Sequence, residues 1–252
     1  MVRYFIQLSY KGTAFCGWQS QSGGRTVQQV MNEALSVLCR GKICTTGAGR
    51  TDAGVHASFF IAHFDTENDD LDGKKNVVYR LNGILPDDVA VQKIVRVRND
   101  AHARFSALSR TYEYTITRVK DPFFQDYSHY YHGVLDVPAM EEACRILKRH
   151  DDFTSFSRFH SGNKTNLCRI DHAGWEDQGT KLVFIITADR FLRNMVRAIV
   201  GTMLMVGRGR LDPAGFEQII LMKDRGKAGP SAPACGLCLT GITYPDDIFP
   251  QP

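Results

Sequence analysis

The chain has 252 residues, 43% of them hydrophobic, and a formal net charge of +4, which suffices for one large domain or two subdomains and is compatible with nucleic acid without requiring it. No run approaches the ~18 consecutive apolar residues of a membrane span. Seven scattered cysteines exclude the dense disulfide framework of a small secreted domain, and the early apolar run Tyr4-Phe5-Ile6 breaks at Gln7, too short for a secretory segment, so the expectation is a soluble protein of the reducing cytoplasm.

Val2 to Tyr10 carries Phe5, Ile6, Leu8 and Tyr10 and ends at the turn Lys11-Gly12-Thr13, the pattern of a strand. In Phe15-Cys16-Gly17-Trp18-Gln19 the aromatics suit a core edge, the better reading by residue type, or contact with a base. Thr26 to Cys39 is a helix: Thr26 serves as N-cap, and Val27, Val30, Met31, Ala34, Leu35 and Leu38 recur on one apolar face. Strands are expected over Ile43–Thr46 and Ser58–Phe64.

Between those strands lies Gly47-Ala48-Gly49-Arg50-Thr51-Asp52-Ala53-Gly54-Val55-His56-Ala57. It sets one carboxylate, Asp52, among three glycines on a tight loop, where chemistry is commonly placed. By residue type the loop also reads as an ordinary hairpin turn, with Asp accepting local backbone hydrogen bonds, or as an anion-binding turn. It has neither the Lys-Ser/Thr of a P-loop nor the spacing Gly-x-Gly-x-x-Gly.

Glu67 to Lys75 is polar and loop-like, Val77 to Ile84 helical, Asn82 to Asp88 a helix stop and turn, and Val89 to Val97 a strand. A basic and aromatic patch follows, from His102-Ala103-Arg104-Phe105 to Arg110-Thr111-Tyr112-Glu113-Tyr114. Arg110, Tyr112, Tyr114 and Ile116 share one strand face by period two. Such a face can stack a nucleobase or belong to the core, and for Tyr114 the core is preferred. Pro122-Phe123-Phe124 breaks the chain, and the histidines between Tyr127 and His132 have no ligand spacing. Val137 to His150 is an amphipathic helix with Met140, Ala143, Cys144 and Leu147 inward. Asp151 to Asn166 lacks periodicity; with Arg158, His160, Lys164 and the following Arg169 it is either an RNA-contacting loop or a plain surface loop.

Cys168–Trp175 and Lys181–Thr187 read as strands joined by the turn at Glu176–Gly179. A helix is expected from Phe191 to Val206, putting Arg193 and Arg197 on one side and Arg190 a turn earlier. Arg197 lies close to that helix's apolar surface and there needs an anionic partner. Asp212 caps a helix over Pro213–Met222, and Leu237 to Tyr244 is the last strand. Cys235-Gly236-Leu237-Cys238 has CxxC spacing but no second CxxC and no His pair, so no metal site is expected. A strand-helix-strand-strand-helix-strand order in the first part and roughly again in the second suggests two related α+β halves, 1–104 and 105–252.

Gly-Arg-Thr-Asp-Ala-Gly-Val-His, at 49–56, resembles the signature of the bacterial tRNA pseudouridine synthase A family. Four further motifs resemble that family in the same order: the Tyr10–Gln19 segment (with Lys11 where an acidic residue is common), Arg110-Thr111-Tyr112-Glu113-Tyr114, Phe191-Leu192-Arg193-Asn194-Met195-Val196-Arg197, and Pro233-Ala234-Cys235-Gly236-Leu237. The resemblance covers about residues 10 to 244. It implies a fold of two ferredoxin- or RNP-like α+β halves, with a largely antiparallel central sheet flanked by helices and an active-site cleft between the halves. It implies isomerisation of uridine to pseudouridine in the anticodon stem-loop of tRNA, at positions 38, 39 and 40, by a cytoplasmic homodimer.

The same resemblance assigns roles. Asp52 is the catalytic nucleophile, Tyr112 stacks on the target base, Leu237 lines its pocket, and Arg197 pairs with Asp52. Arg50, two residues before Asp52, is placed to fill the gap left when the base flips out. Arg104, Arg110, Arg158, Lys164 and Arg193 are candidate RNA contacts. Nothing is oxidised and nothing leaves, so no cofactor or metal is expected. An RNA-binding member without activity, a synthase acting at a different tRNA position and a retaining glycosidase are the competing readings; the last needs a paired carboxylate, and none stands in comparable motif context.

Overall fold

Period-two patterning builds β1 (Val2–Tyr10), whose residues Tyr4, Phe5, Ile6, Leu8 and Tyr10 are buried. The computed structural model describes residues 1–158 and 164–249. Those residues form an α+β fold with five α-helices and mostly antiparallel strand pairs. None of the helices is long and apolar enough to cross a membrane. The chain divides into two units: Met1–Leu108 with the residues from Leu239 on, and Ser109–Cys238.

In the first unit α1 (Val27–Cys39) follows β1. Its N-cap Thr26 accepts from the Gln29 N–H, and Val27, Val30, Met31, Ala34 and Leu35 are buried while Leu38 is only partly so. The strand expected over Ile43–Thr46 shrinks to β2 (Thr46–Gly47). Polar side chains of α1 explain this. Asn32 Oδ1 accepts from the Thr45 N–H and hydroxyl, Gln28 Nε2 donates to the Thr45 carbonyl, and Ser36 Oγ accepts from the Ile43 N–H. These bonds replace a ladder partner, as buried backbone groups require some partner but not a particular one.

β3 (His56–Thr66), α2 (Lys75–Ile84) and β4 (Val89–Arg96) follow. The strands run in the order β4-β1-β3, with β2 also on β3 and the C-terminal β9 (Leu237–Thr243) next to β3. Trp18 stacks on Phe60 of β3 at 4.2 Å, and both are fully buried. The Phe15–Gln19 aromatics are therefore core, consistent with the better of their two readings.

The second unit begins with β5 (Ser109–Thr117), to which the short β6 (His129–Tyr130) runs parallel. α3 (Val137–Leu147) buries Met140, Ala143, Cys144 and Leu147 and is capped by Asp136, which accepts from Ala139 N–H. β7 (Ile170–Asp177) and β8 (Lys181–Ala188) complete the order β5-β8-β7.

The next helix departs from expectation: α4 spans Met195–Gly207, not Phe191–Val206. Asn194, just before it, is in the left-handed region at φ 66 and ends any helical continuity with Phe191–Arg193. Arg193 and Arg197 consequently do not share a helix face. All of α4 except Arg197 and Met205 is buried, the pattern of a central helix. α5 (Pro213–Met222) has Pro213 in its first turn, and its cap Asp212 accepts from the Gly215 N–H at 2.7 Å.

Candidate active site

The loop that carries Asp52 is held mainly by backbone. The turn Asp52-Ala53-Gly54-Val55 closes through Val55 N–H to the Asp52 carbonyl at 3.2 Å, and Gly54 takes φ +79 at the turn's third position, where glycine is favoured. The segment 12–18 backs the loop from the other side. Trp18 N–H donates to the Thr51 carbonyl, Gly54 N–H donates to the Phe15 carbonyl, and Tyr10 and Thr51 join hydroxyls at 2.9 Å. Gly17 has φ +89, and a Cβ on it would lie 2.3 Å from the Thr51 carbonyl oxygen. A Cβ on Gly12 would lie 2.0 Å from the Val55 carbonyl oxygen, and Gly12 N–H donates to His56 Nδ1 at 3.0 Å. Thr51 is buried, Asp52 half-buried and Arg50 exposed. The result is a half-buried carboxylate on a loop whose main chain packs closely against residues 12–18.

In the second unit, β5 carries Arg110, Tyr112, Tyr114 and Ile116. Tyr114 and Ile116 are fully buried, whereas Arg110 and Tyr112 are half-buried. Arg110 Nη1 donates to the Asp189 carbonyl at 2.8 Å. The Tyr112 ring meets Phe191 edge to face, centroids 5.1 Å apart, which fixes its plane. Tyr114 donates its hydroxyl to the Pro233 carbonyl at 3.0 Å, and burial pushes its phenol pKa up.

Arg197 lies on α4 and engages the loop before β9. Its Nε donates to the Ala232 carbonyl at 2.7 Å, and Ala232 N–H donates back to the Arg197 carbonyl at 2.9 Å. The Nε bond ties the guanidinium group to that loop. Further side chains strap the same loop. Asn194 Nδ2 donates to Ser231 Oγ at 2.6 Å, Arg225 donates to Ser231 Oγ and the Gly229 carbonyl at 3.1 Å each, and Gly229 N–H donates to Thr202 Oγ1. Gly201 of α4 has room for no side chain, because a Cβ would lie 1.7 Å from the Pro230 carbonyl oxygen. The loop delivers Leu237, buried at 5% exposure, to the start of β9.

Within the second unit the structure also joins Arg158 to Arg193, through Arg158 N–H to the Arg193 carbonyl at 3.1 Å; both side chains are exposed, as are Lys164 and Arg169. His160 lies outside the described residues. In the first unit Arg104 is exposed beside Phe105. Cys235 Sγ donates to the Ser128 carbonyl, and among the described residues no three His, Cys, Asp or Glu side chains are grouped to hold a metal. Sequence reasoning missed Asn194, Arg225 and Ser231. Their signal is faint: an Asn before an apolar helix, and Gly229-Pro230-Ser231 as an unusual loop string.

A family model described as tRNA pseudouridine synthase matches residues 143–245. The chain is 54% identical over 250 residues to the tRNA pseudouridine synthase A of Parabacteroides distasonis, covering 99% of each. It is 52% identical over 254 residues to that of Bacteroides thetaiotaomicron, covering 100% of this chain and 94% of the relative. It is 48% identical over 251 residues to that of Porphyromonas gingivalis, covering 99% and 100%. The chain therefore belongs to the tRNA pseudouridine synthase A family.

Proposed function

We propose that this chain converts uridine to pseudouridine in the anticodon stem-loop of tRNA, at positions 38, 39 and 40, with Asp52 as the group that acts at the sugar. Membership of the family makes it an isomerase acting on tRNA. In the reaction the N1–C1′ bond breaks, the uracil turns, and C5 bonds to C1′. The proton on C5 leaves to solvent and N1 gains one, so atoms and electrons balance without an oxidant or a leaving group. A cofactor has no step to perform.

The observation that carries the role of Asp52 is its loop: a half-exposed carboxylate on a main chain fixed on both sides. Carboxylates are established nucleophiles at sugar carbons, and placing one in advance removes much of the entropic cost of attack. The uridine must leave its stack to meet it. In this reading Arg50 fills the vacated place, Tyr112 stacks on the uracil, and Leu237 supplies an apolar wall that lets the detached ring turn. Arg197 is the cationic partner that favours the ionised form of Asp52. Arg104, Arg110, Arg158, Lys164 and Arg193 contact phosphates, and the working assembly is a homodimer in the cytoplasm.

The test is release of tritium from C5-labelled uridine in unmodified tRNA, with wild type and Asp52→Asn side by side. Release by wild type alone supports both the reaction and Asp52, and mapping the product fixes the positions. Binding without release by either protein would overturn catalysis in favour of an RNA-binding role. Absence of both would overturn the tRNA substrate itself.

A further inference from the structure

The loop 101–106 in the first unit is built as a rigid mount. Side chains take its backbone groups one after another. Arg3 Nη1 donates to the Ala101 carbonyl at 3.0 Å, Ala103 N–H donates to His63 Nδ1 at 3.1 Å, and the Tyr244 hydroxyl donates to the Ala103 carbonyl at 2.5 Å. The N–H groups of Arg104 and Phe105 both donate to His102 Nδ1, at 3.1 and 3.3 Å. His102 N–H donates to Ser106 Oγ and Ser106 N–H to the His102 carbonyl, each at 2.9 Å.

Both imidazoles accept through Nδ1 and so are neutral, with the proton on Nε2. Burial, with Arg3 nearby, pushes His63 down to about 4 and also lowers His102, so the mount stays set at neutral pH. Behind it, Arg3 is clamped by Asp65 through two bonds of 2.7 Å.

What the mount holds up is Phe105, which is 76% exposed. A singly exposed apolar residue is ordinary; an exposed ring on a loop with this much dedicated support is not. The His102 imidazole lies 4.4 Å from its centroid and the Arg104 guanidinium 5.5 Å. A cation and an imidazole thus stand beside the ring, which suits a π-faced polyanion better than an apolar protein surface.

The mount also lies away from the Asp52 loop. That loop feeds into β3 at His56, and His63 is seven residues further along, on the order of 20 Å at the rise of a strand. A base on Phe105 is therefore not the base that Asp52 acts on.

We propose that Phe105 is a second stacking platform, taking the face of a nucleobase of the substrate tRNA other than the isomerised uridine, with Arg104 meeting the neighbouring phosphate. This rests on the tRNA reading above and adds a contact to it. Phe105→Ala is expected to weaken binding of an unmodified tRNA transcript by about 5- to 150-fold, the range for loss of one base–aromatic stack. KM should rise accordingly, with kcat within about threefold of wild type.

Phe105→Trp should restore affinity and give a direct signal. In an Asp52→Asn background, saturating tRNA should quench the emission of the indole introduced by Phe105→Trp, while Trp18 and Trp175, both buried, supply the constant background. Wild-type affinity in Phe105→Ala, or no quenching in the Phe105→Trp variant, overturns the platform while leaving tritium release by wild type intact. A change of sedimentation in Phe105→Ala with unchanged tRNA affinity overturns it too, assigning the ring to a second copy of the chain. If wild type neither binds tRNA nor releases tritium, the platform falls together with the tRNA reading.

Discussion

The Asp52 loop and the loop 229–236 are both irregular segments that must hold one conformation, and they achieve it by different means. The first is clamped mainly by main chain against main chain, with carbonyls and N–H groups of 12–18 meeting those of 51–55 at glycines that leave no room for a Cβ. The second is strapped mainly by side chains from elsewhere in the sequence: Asn194, Arg197, Thr202 and Arg225. The first design suits the residue assigned to the chemistry, since a main-chain clamp supports the loop without relying on the carboxylate. The second ties Leu237, proposed to line the base pocket, to the same helix that carries Arg197.

The largest expected effect tests what the first loop is for. Asp52→Asn should lower tritium release by on the order of 10⁴-fold or more while tRNA binding on a filter stays within a few-fold; retained turnover would remove Asp52 from the mechanism. Arg197→Met should cost about 10²- to 10³-fold in kcat, the scale of losing one fixed charge-stabilising group. A near-wild-type rate would reduce Arg197 to a strap for Ala232.

Gly17→Ala asks whether the main-chain clamp is rigid. The added methyl meets the Thr51 carbonyl, so the loop must shift, with a loss of roughly 10²-fold in turnover and about 2–3 kcal/mol, or roughly 5–10 °C in Tm. An unchanged melting curve and rate would show that the two loops do not differ in the way described. Arg225→Met should be milder, about tenfold in kcat/KM, because each lost strap is worth about one hydrogen bond. Arg225→Lys should restore little, since an ammonium cannot reproduce the fork across Gly229 and Ser231.

The mount at 101–106 belongs to the side-chain-supported kind, and its expected effect is on stability rather than turnover. The folded state holds the His63 pKa below its ordinary 6.5, at about 4, so its neutral form is favoured by folding. Stability from this group is complete above pH 6.5 and is lost as pH falls from 6.5 to 4, by on the order of 3 kcal/mol. Tm measured across that window should fall, and His63→Gln should flatten part of the slope.

Much of this was legible in the chain. Residue periodicity located β1, α1, β5 and α3 closely, because one face of each is buried and the other is not. Tyr114 could be assigned to the core because period two links it to Ile116. The Asp52 loop could be singled out because its glycines sit within a few residues of the carboxylate they serve. The start of α4 was not legible. Phe191 and Leu192 continue the apolar spacing of a helix, and only the left-handed Asn194, bonded to Ser231 far along the chain, stops it. β2 shrank for a similar reason: Asn32, Gln28 and Ser36 look like the solvated face of a helix and in fact take the backbone groups of Ile43–Thr45.

The sequence by itself pointed to the family and the α+β class, and it singled out the carboxylate and the other residues proposed for the site. The α+β class depends on residue types at short spacing, where local sterics and periodic burial act, and the family and the site residues follow from the resemblance of short motifs. Only the tertiary structure decided which polar side chains satisfy distant backbone groups, and so where α4 begins, what straps the loop before β9, and why Phe105 stands out on a rigid mount. A buried N–H or carbonyl requires a partner, but the chain does not say in advance which side chain will come close enough to be one.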